Sequence, residues 1–158
     1  LGTWTWAANG VGLAWWTDEV LPLLPPGLRI RVGGAGAQQL TGVPGLELVE
    51  RVDDAASFLR AARTVVVPAV AGAGLQIKTL DAIASGRAVV ATPVAMRGID
   101  DPPPSLRVAD EAAAFADAIR RSLAEGAPDG GAHAEAWARA RRERFAAELD
   151  AAVAALVR

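Results

Sequence analysis

The sequence predicts an α/β domain built on a doubly wound parallel sheet, and two observations carry this prediction. Short apolar stretches alternate with helical patterns along the 158 residues, which is typical of a parallel sheet with helices on both faces. Two central stretches, TVVVPAV at 64–70 and AVVAT at 88–92, are almost wholly apolar, as expected of strands buried on both faces. We therefore predict a single domain over residues 1–158.

The remaining elements are predicted from local patterns of apolar and polar residues. Further strands are predicted at 1–6, 28–32, 46–52 and 105–110, and helices at 10–24, 54–63, about 76–85, 111–125, 132–144 and 146–157. Asn9 and Asp54 have side chains that accept from helix N–H groups, so we expect them to cap the first two helices.

The composition argues against several classes of function. The formal net charge is −2 and the pI is about 5.4, so the domain has no general electrostatic attraction for nucleic acid. The sequence contains no cysteine, which excludes disulfides and thiolate metal sites. Its longest apolar run, around 64–75, is too short to span a bilayer. Because the first residue is Leu1 rather than Met, we expect a piece of a longer protein.

The stretch AGAGLQIKTLDAIASG at 71–86 is the strongest candidate for a binding site. It follows a buried strand and opens a helix, and doubly wound sheets bind ligands at the carboxyl ends of their strands. Gly72 and Gly74 allow the backbone to approach a ligand closely, and the amino end of a helix favours an anion. Lys78 and Asp81 follow Gly74 by four and seven residues, so we expect all three on one helix face.

This order of groups suits a diphosphate followed by a ribose. A phosphate would lie at the loop, the Lys78 ammonium beside it, and the Asp81 carboxylate one turn further along. The alternative is an exposed i,i+3 pair that stabilises the helix by only about 0.2–0.5 kcal/mol, with glycines that merely form a turn. The spacing leaves both interpretations open. We expect the apolar residues of this helix to face the sheet: Ile77, Leu80 and Ile83.

A second glycine run, GGAGAQQL at 33–40, resembles a dinucleotide fingerprint because it follows a predicted strand. No long helix can follow it, since Gly42, Pro44 and Gly45 interrupt the chain almost at once. A plain strand-to-loop turn is therefore the favoured interpretation. His133, the only histidine, is interpreted as a solvated side chain near a helix start.

The order of motifs resembles the C-terminal, donor-binding half of GT-B glycosyltransferases, specifically the group that includes glycosyltransferase family 4 (glycosyl transferases group 1). The stretches that carry the resemblance cover nearly the whole chain: GTWTWAANGVG, VERVDDAASFLRAARTVVVP, GAGLQIKTLDAIASGRAVVATPVAMRG and VADEAAAFADAI. The third is the most specific, a G-x-G-x-x-x-K-x-x-[ED]-A-x-A-x-G run followed by an apolar strand and a threonine. The resemblance implies a Rossmann-like domain that forms one half of a GT-B architecture.

The resemblance also implies transfer of a sugar from a nucleotide-diphosphate donor to an acceptor hydroxyl. Lys78 would be the catalytic residue, because it would contact the diphosphate and stabilise it as it departs. Asp81 would accept hydrogen bonds from the ribose hydroxyls, where the family usually has Glu. The other donor-binding residues implied are Gly72, Gly74 and Leu75 at the phosphates, and Val52 and Asp53, next to Arg51, at the base. Two more are candidates for a phosphate or acceptor-side contact: Arg97 and Thr92.

The chain departs from the family pattern at two places. Ala73 stands where many members have an acidic residue that contacts the transferred sugar, and the first loop, TWTWAANG, has no basic residue. The resemblance implies no metal or other cofactor. It implies as partners the nucleotide-sugar donor and an N-terminal acceptor domain that this chain does not contain, and no nucleic acid.

Further expectations follow from the same resemblance, and two alternative functions stand against it. Without the acceptor domain, we expect the chain to be inactive alone and to expose an apolar docking face through which it can dimerise. We expect a cytoplasmic protein, or one peripheral to the inner face of the membrane. The alternatives are a non-catalytic Rossmann-like interaction module, and an NAD-dependent oxidoreductase domain that uses Gly33–Gly36. Binding of a nucleoside diphosphate that depends on Lys78 would distinguish a donor-binding glycosyltransferase domain from both alternatives.

Overall fold

The computed structural model describes residues 1–156, in which five strands form two parallel sheets. One sheet pairs β1 (Ile30–Gly33) with β2 (Leu46–Val49). The other has the order β3-β4-β5 and comprises β3 (Thr64–Val67), β4 (Ala88–Ala91) and β5 (Leu106–Val108). The predicted parallel strands are therefore present, and most are shorter than the apolar runs that predicted them. β3, for example, ends directly before Pro68, which cannot donate to a sheet.

The helices lie between and after the strands. They are α1 (Ala7–Trp15), α2 (Ala55–Arg60), α3 (Ile77–Ala84), α4 (Ala112–Glu125) and α5 (Gly130–Leu156). α1 continues without a break into a π-helical turn at Trp16–Val20 and a 3-10 turn at Leu21–Leu23, and single 3-10 turns occupy Ala37–Leu40 and Val94–Met96.

Helices cover both faces of the central sheet, as the sequence predicts. On one face, Val66 and Val90 pack in a cluster that includes Trp16, Phe115 and Ile119, from the π-helical turn and α4. On the opposite face, the next residues along the same strands pack in a cluster with α2, α3 and α5; its members include Val65, Val67, Val89, Ala91, Leu59, Ile83 and Trp137. The alternation of side chains along β3 and β4 thus fills two cores, and the doubly wound α/β class is confirmed.

α1 approaches the end of β3 more closely than a side chain would allow. A Cβ atom at Gly12 would lie 2.1 Å from the carbonyl oxygen of Pro68. Only glycine fits at this point, so the contact fixes how α1 lies over the carboxyl end of β3.

The predicted strand at 1–6 is wrong. The backbone N–H of Gly2 donates to Gly33 at 3.0 Å, and that of Trp4 donates to Ala35 at 2.8 Å, so the segment runs beside the end of β1. The chain then turns at Trp4 and enters α1. Alternating residues predicted a strand, but two hydrogen bonds on one side do not make one.

The two predicted C-terminal helices, 132–144 and 146–157, are one helix of 27 residues, α5. Position 145 is Phe, and its neighbours are Arg, Glu and Ala, which favour helix, so nothing there ends it. The last predicted residue, Val157, lies outside the described residues. Beyond Trp137 this helix is largely exposed, and its second half carries exposed apolar side chains: Phe145, Leu149, Val153 and Leu156.

Capping differs from the prediction at one of two helices. Asp54 caps α2 as predicted, accepting from the N–H groups of Ala56 and Ser57 at 3.0 and 3.2 Å. Asn9 caps nothing: α1 begins at Ala7, which places Asn9 in its first turn. Within residues 1–156, no helix combines the length and the apolar character needed to cross a bilayer.

Two glycines of α1 test the contact between α1 and β3. Gly12→Ala should lower the free energy of unfolding by about 1–3 kcal/mol, because the new methyl group meets the Pro68 carbonyl. Gly10→Ala is the matched control in the same helix. Its Cβ would lie 3.5 Å from the nearest atom, an ordinary contact, so the helix preference of alanine should raise stability by up to about 1 kcal/mol. Urea denaturation measures both, and equal effects would contradict the close packing.

Candidate functional site

The loop between β3 and α3 is exposed and depends on glycine. Residues 72–75 are exposed, and Gly72 and Gly74 have φ angles of +119° and +77°, which other residues rarely adopt. A Cβ at Gly74 would meet nothing within 4 Å, so its backbone angle alone requires glycine. Among the described residues, no side chain caps the amino end of α3 at Gln76. The N–H of Thr79 donates to the carbonyl of Gln76 at 2.9 Å, whereas the N–H groups of Ile77 and Lys78 precede the helical ladder and lack intrahelical partners, so this end can bind an anion.

Lys78, the only lysine in the sequence, lies in the first turn of α3 and is half-buried. Its ammonium donates a hydrogen bond to Oδ1 of Asn9. Asn9 is held in turn, because its Nδ2 donates to the carbonyl of Thr3 at 2.8 Å. Burial lowers the pKa of Lys78 below its ordinary value. The lysine is therefore positioned by a neutral amide and partly removed from water.

Lys78 and Asp81 both line a cavity of about 140 Å³ at the carboxyl end of β3. Asn9 joins them, and apolar groups form most of the remaining wall, from the first residues of the chain, from α2 and from β3: Leu1, Gly2, Trp4, Leu59, Val65, Val66, Val67, Pro68 and Ala69. The structure therefore brings together the lysine and the carboxylate that the spacing singled out. Lys78 is bonded to Asn9, and within residues 1–156 it forms no ion pair with Asp81.

The apolar face of α3 differs in part from the prediction. Ile83 is buried and Leu80 packs against the core, as expected. Ile77 is 69% exposed, so its predicted packing on the sheet is wrong. It is the first residue of α3 and lies directly after the exposed loop, before the helix reaches the sheet. Thr79 takes the buried position instead, and its hydroxyl donates to the carbonyl of Ala95 at 2.8 Å.

Arg97 and Thr92 have different surroundings. Arg97 is exposed, and its Nη1 donates to the carbonyl of Gly72 at 2.6 Å, so the guanidinium lies beside the glycine loop. Thr92 is only 2% exposed. Its hydroxyl donates to the carbonyl of Ala69 and accepts from the N–H of Ala95 at 3.2 Å. These bonds tie the end of β4 to the end of β3, so Thr92 supports the loop from beneath.

The residues predicted to flank the base lie in the loop after β2. Arg51 and Asp53 are exposed and form an ion pair at 2.8 Å, while Val52 is partly buried. A Cβ atom built at Gly33 would lie 2.9 Å from a methyl group of Val52. This loop therefore packs against the end of β1, and the contact of Val52 and Asp53 with a base stays a prediction.

The glycine run after β1 is filled by the chain itself. A Cβ at Gly34 would lie 2.0 Å from the carbonyl oxygen of Gly2, and one at Gly36 would lie 3.0 Å from the N atom of Thr5. The indole Nε1 of Trp4 donates to the Gly33 carbonyl at 3.0 Å. Only the 3-10 turn Ala37–Leu40 follows. The interpretation as a strand-to-loop turn is confirmed, because the first residues of the chain lie where a dinucleotide would need space.

Two further observations concern parts of the molecule other than the predicted site residues. An open cleft of about 950 Å³ lies between the proline-rich loop 100–104 and α5, where His133 is exposed. In the part of the chain that the structure describes, no three His, Asp or Glu side chains are grouped closely enough to hold a metal ion.

Asn9 is the site residue that sequence reasoning assigned incorrectly. Its amide was interpreted as a helix cap, whereas it bonds Lys78 across 69 positions of sequence. The available signal was its isolation: apart from the tryptophans, it is the one residue with a polar side chain in the stretch WAANGVGLAWW.

Comparison with known proteins places the chain in a family. The family model described as glycosyl transferases group 1 matches residues 2–125, which is most of the chain. No curated protein matches the sequence. The chain therefore belongs to the glycosyl transferases group 1. Its Rossmann-like α/β fold is that of a glycosyltransferase domain, and the family supports glycosyl transfer as the general activity.

Thr92 provides a test of how the loop is supported. Thr92→Val keeps the shape of the side chain but removes both buried hydrogen bonds, so the free energy of unfolding should fall by about 1–3 kcal/mol. Thr41→Val is the control, because the Thr41 hydroxyl makes a similar bond, to Gln38 at 2.7 Å, at an exposed position. It should change stability by less than about 0.5 kcal/mol. If Thr92→Val were fully stable and only weakened ligand binding, its predicted phosphate contact would be favoured instead.

Proposed function

We propose that this glycosyltransferase domain binds the diphosphate of a nucleotide-sugar donor through Lys78 and the amino end of α3. The observation that carries the proposal is the placement of the only lysine. It is half-buried, held by Asn9, and lies in the first helical turn after the exposed glycine loop. The family indicates the class of reaction, which is glycosyl transfer. The loop, the amino end of α3 and Lys78 together form a site where the diphosphate of the donor could bind.

The neutral partner of Lys78 matters for this role. An amide oxygen orients the ammonium without neutralising it, whereas a carboxylate would form an ion pair and cancel its charge. The ammonium has three N–H donors, and Asn9 uses one, so two remain for phosphate oxygens. Burial makes the bare charge less favourable, as the lowered pKa of Lys78 indicates, and an arriving dianion would compensate for that cost.

In the proposed reaction, the bond between the anomeric carbon and the diphosphate breaks, and the acceptor hydroxyl oxygen forms the new bond to carbon. The proton that this hydroxyl loses passes to the departing diphosphate. Negative charge grows on the departing diphosphate, and stabilising it is the contribution of this domain. Lys78 and the helix dipole of α3 act directly. Arg97, held at the Gly72 carbonyl, supplies a second cation beside the loop.

The rest of the donor follows from the direction of α3. Asp81 lies one turn beyond Lys78 and lines the same cavity, so it accepts from the ribose hydroxyls. The base then extends toward the loop at Val52 and Asp53. The cavity of about 140 Å³ is smaller than the roughly 300 Å³ of typical ligand sites. Most of the donor therefore lies over the exposed loop, where an N-terminal acceptor domain would supply the other wall.

Ligand titration of the chain tests the proposal and separates the roles of two side chains. One of UDP, GDP and ADP should bind, and Lys78→Met should weaken both that ligand and inorganic pyrophosphate by about tenfold to hundredfold, because it removes charge-assisted hydrogen bonds. Asp81→Asn should weaken the nucleoside diphosphate but leave pyrophosphate unchanged, because pyrophosphate has no ribose. Isothermal titration calorimetry measures all three proteins.

Asp117→Asn is the matched control, since Asp117 is an exposed aspartate on α4, across the sheet from α3. It should bind both ligands like the wild type. Failure of all three nucleoside diphosphates to bind at millimolar concentration would contradict the proposal and favour a non-catalytic interaction module.

The lowered pKa of Lys78 predicts how affinity depends on pH. Bound diphosphate favours the charged ammonium, so the pKa of Lys78 is higher in the complex than in the free protein. Affinity should then be constant below the free-protein pKa and fall as the pH rises through it. Lys78→Arg stays charged throughout this range. The ratio of wild-type to Lys78→Arg affinity, measured from about pH 7 to about pH 11 so that the range includes the ordinary pKa of lysine, should therefore decline, and a constant ratio would exclude Lys78 as the titrating group.

A further inference from the structure

The segment that follows the 3-10 turn Val94–Met96 touches the glycine loop at two points. Arg97 donates to the Gly72 carbonyl at 2.6 Å. A Cβ atom built at the next residue, Gly98, would lie 3.3 Å from the side chain of Leu75. Residues 97 and 98 therefore lie directly against the loop proposed to hold the diphosphate. The position of the Arg97 guanidinium depends on whatever fixes the backbone of this segment.

Three side chains of α5 bind the same segment from its other side. We call them the α5 clamp: Trp137, Arg141 and Arg144. Nη1 of the first arginine donates to the Gly98 carbonyl at 3.1 Å, and the indole Nε1 donates to the Asp100 carbonyl at 3.1 Å. The second arginine forms an ion pair with Asp101 at 3.3 Å. Because the three positions are spaced by four and three residues, they share one face of α5.

The α5 clamp does not consist of independent surface contacts. The Arg141 guanidinium lies 5.7 Å from the centre of the Trp137 ring, within the range of a cation–π interaction. Ile99 lies between the two bonded carbonyl groups. It is 6% exposed and belongs to the core cluster against which Trp137 packs. A single exposed bond would fix the segment poorly, but here backbone bonds and a buried side chain act on the same few residues.

α5 is also fixed relative to the helix that carries Lys78. A Cβ atom at Gly130, the first residue of α5, would lie 2.2 Å from the carbonyl oxygen of Gly86. Gly86 follows directly after α3 and its last turn, so the start of α5 lies against the carboxyl end of α3 with no room for a side chain. One helix therefore contacts both the element that carries Lys78 and the segment that carries Arg97.

We propose that the α5 clamp positions Arg97 beside the glycine loop, so that Arg97 and Lys78 meet the same diphosphate. The clamp residues are positioning residues, which act on the ligand only through residues 97–101. Holding Arg97 in place raises affinity because fewer groups must be ordered when the anion binds. The proposal rests on the proposed function, since it concerns the site assigned there to the donor diphosphate.

Titration of the chain with inorganic pyrophosphate tests the clamp. Arg141→Met should weaken binding by about threefold to tenfold, and Arg141→Lys, which keeps a charged donor, should restore most of the affinity. Arg142→Met is the matched control. Arg142 is the next residue of α5, lines the same cleft, and forms no ion pair with the rest of residues 1–156. Its loss removes the same charge and should change affinity by less than about twofold.

Repeating the comparison in Arg97→Met separates positioning from general support of the fold. If the clamp acts through Arg97, Arg141→Met should have no further effect on pyrophosphate affinity once Arg97 is gone, because the two substitutions remove one interaction. A residue that only stabilises the fold would have the same effect in both backgrounds. Effects of Arg141→Met that are equal with and without Arg97 would therefore overturn the proposal.

A second measurement needs no ligand. The Gly72 carbonyl and the Ala73 N–H belong to one peptide group, so the Ala73 amide signal in the NMR spectrum reports the bond from Arg97. Arg141→Met should move this signal in the same direction as Arg97→Met, and Arg142→Met should leave it in place. An Ala73 signal that does not respond to Arg141→Met would overturn the proposal. Failure of the wild type to bind pyrophosphate would contradict the proposed donor site, whereas the Ala73 signal would still decide whether the clamp positions Arg97.

Discussion

The carboxyl end of β3 is the point on which the rest of the structure depends. Gly12 of α1 meets the Pro68 carbonyl there with no room for a side chain. Thr92, at the end of β4, bonds the Ala69 carbonyl. Pro68 and Ala69 also form part of the wall of the cavity that Lys78 and Asp81 line. Two helical layers bury β3 on both faces, so its end is a rigid support, and the exposed glycine loop rises from it.

This arrangement explains how a domain with a negative net charge can offer a positive site. The cation is local: one lysine oriented by an amide, one arginine held at a loop carbonyl, and the amino end of a helix. Distant acidic residues weaken such a site little, because salt screens exposed charges beyond about 10 Å. The overall charge therefore says little about whether a diphosphate binds, and the fold that gathers these groups says more.

Elements whose signals are local could be predicted from the sequence. The runs at β3 and β4 are apolar because both faces of these strands are covered. Asp54 caps α2 by accepting hydrogen bonds from the N–H groups two and three residues ahead. The pair Lys78 and Asp81 was found because helical spacing alone puts both on one face. The predictions that were wrong concern residues whose structure depends on partners far away in the sequence. Asn9 has the side chain of a cap, but its partner is Lys78. Residues 1–6 alternate like a strand, yet hydrogen bonds to another segment decide whether they form one.

The glycine run at 33–36 is another element whose role depends on a segment that the local sequence does not reveal. Its pattern suits either a bound phosphate or a close approach of another segment, and only the position of Gly2 over Gly34 decides between them. The single helix α5 was divided in the prediction, although its residues favour helix throughout; here the physical signal was present and was misinterpreted.

The most direct measurement of the central claim uses the fact that Lys78 is the only lysine. In a chain labelled with ¹³C and ¹⁵N in lysine alone, every side-chain lysine signal in the NMR spectrum comes from this one residue. Adding the nucleoside diphosphate should shift the Cε and Nζ signals along a saturable curve, and pyrophosphate should reproduce most of the shift. Signals that stay in place while a nucleoside diphosphate binds elsewhere on the chain would contradict the role of Lys78.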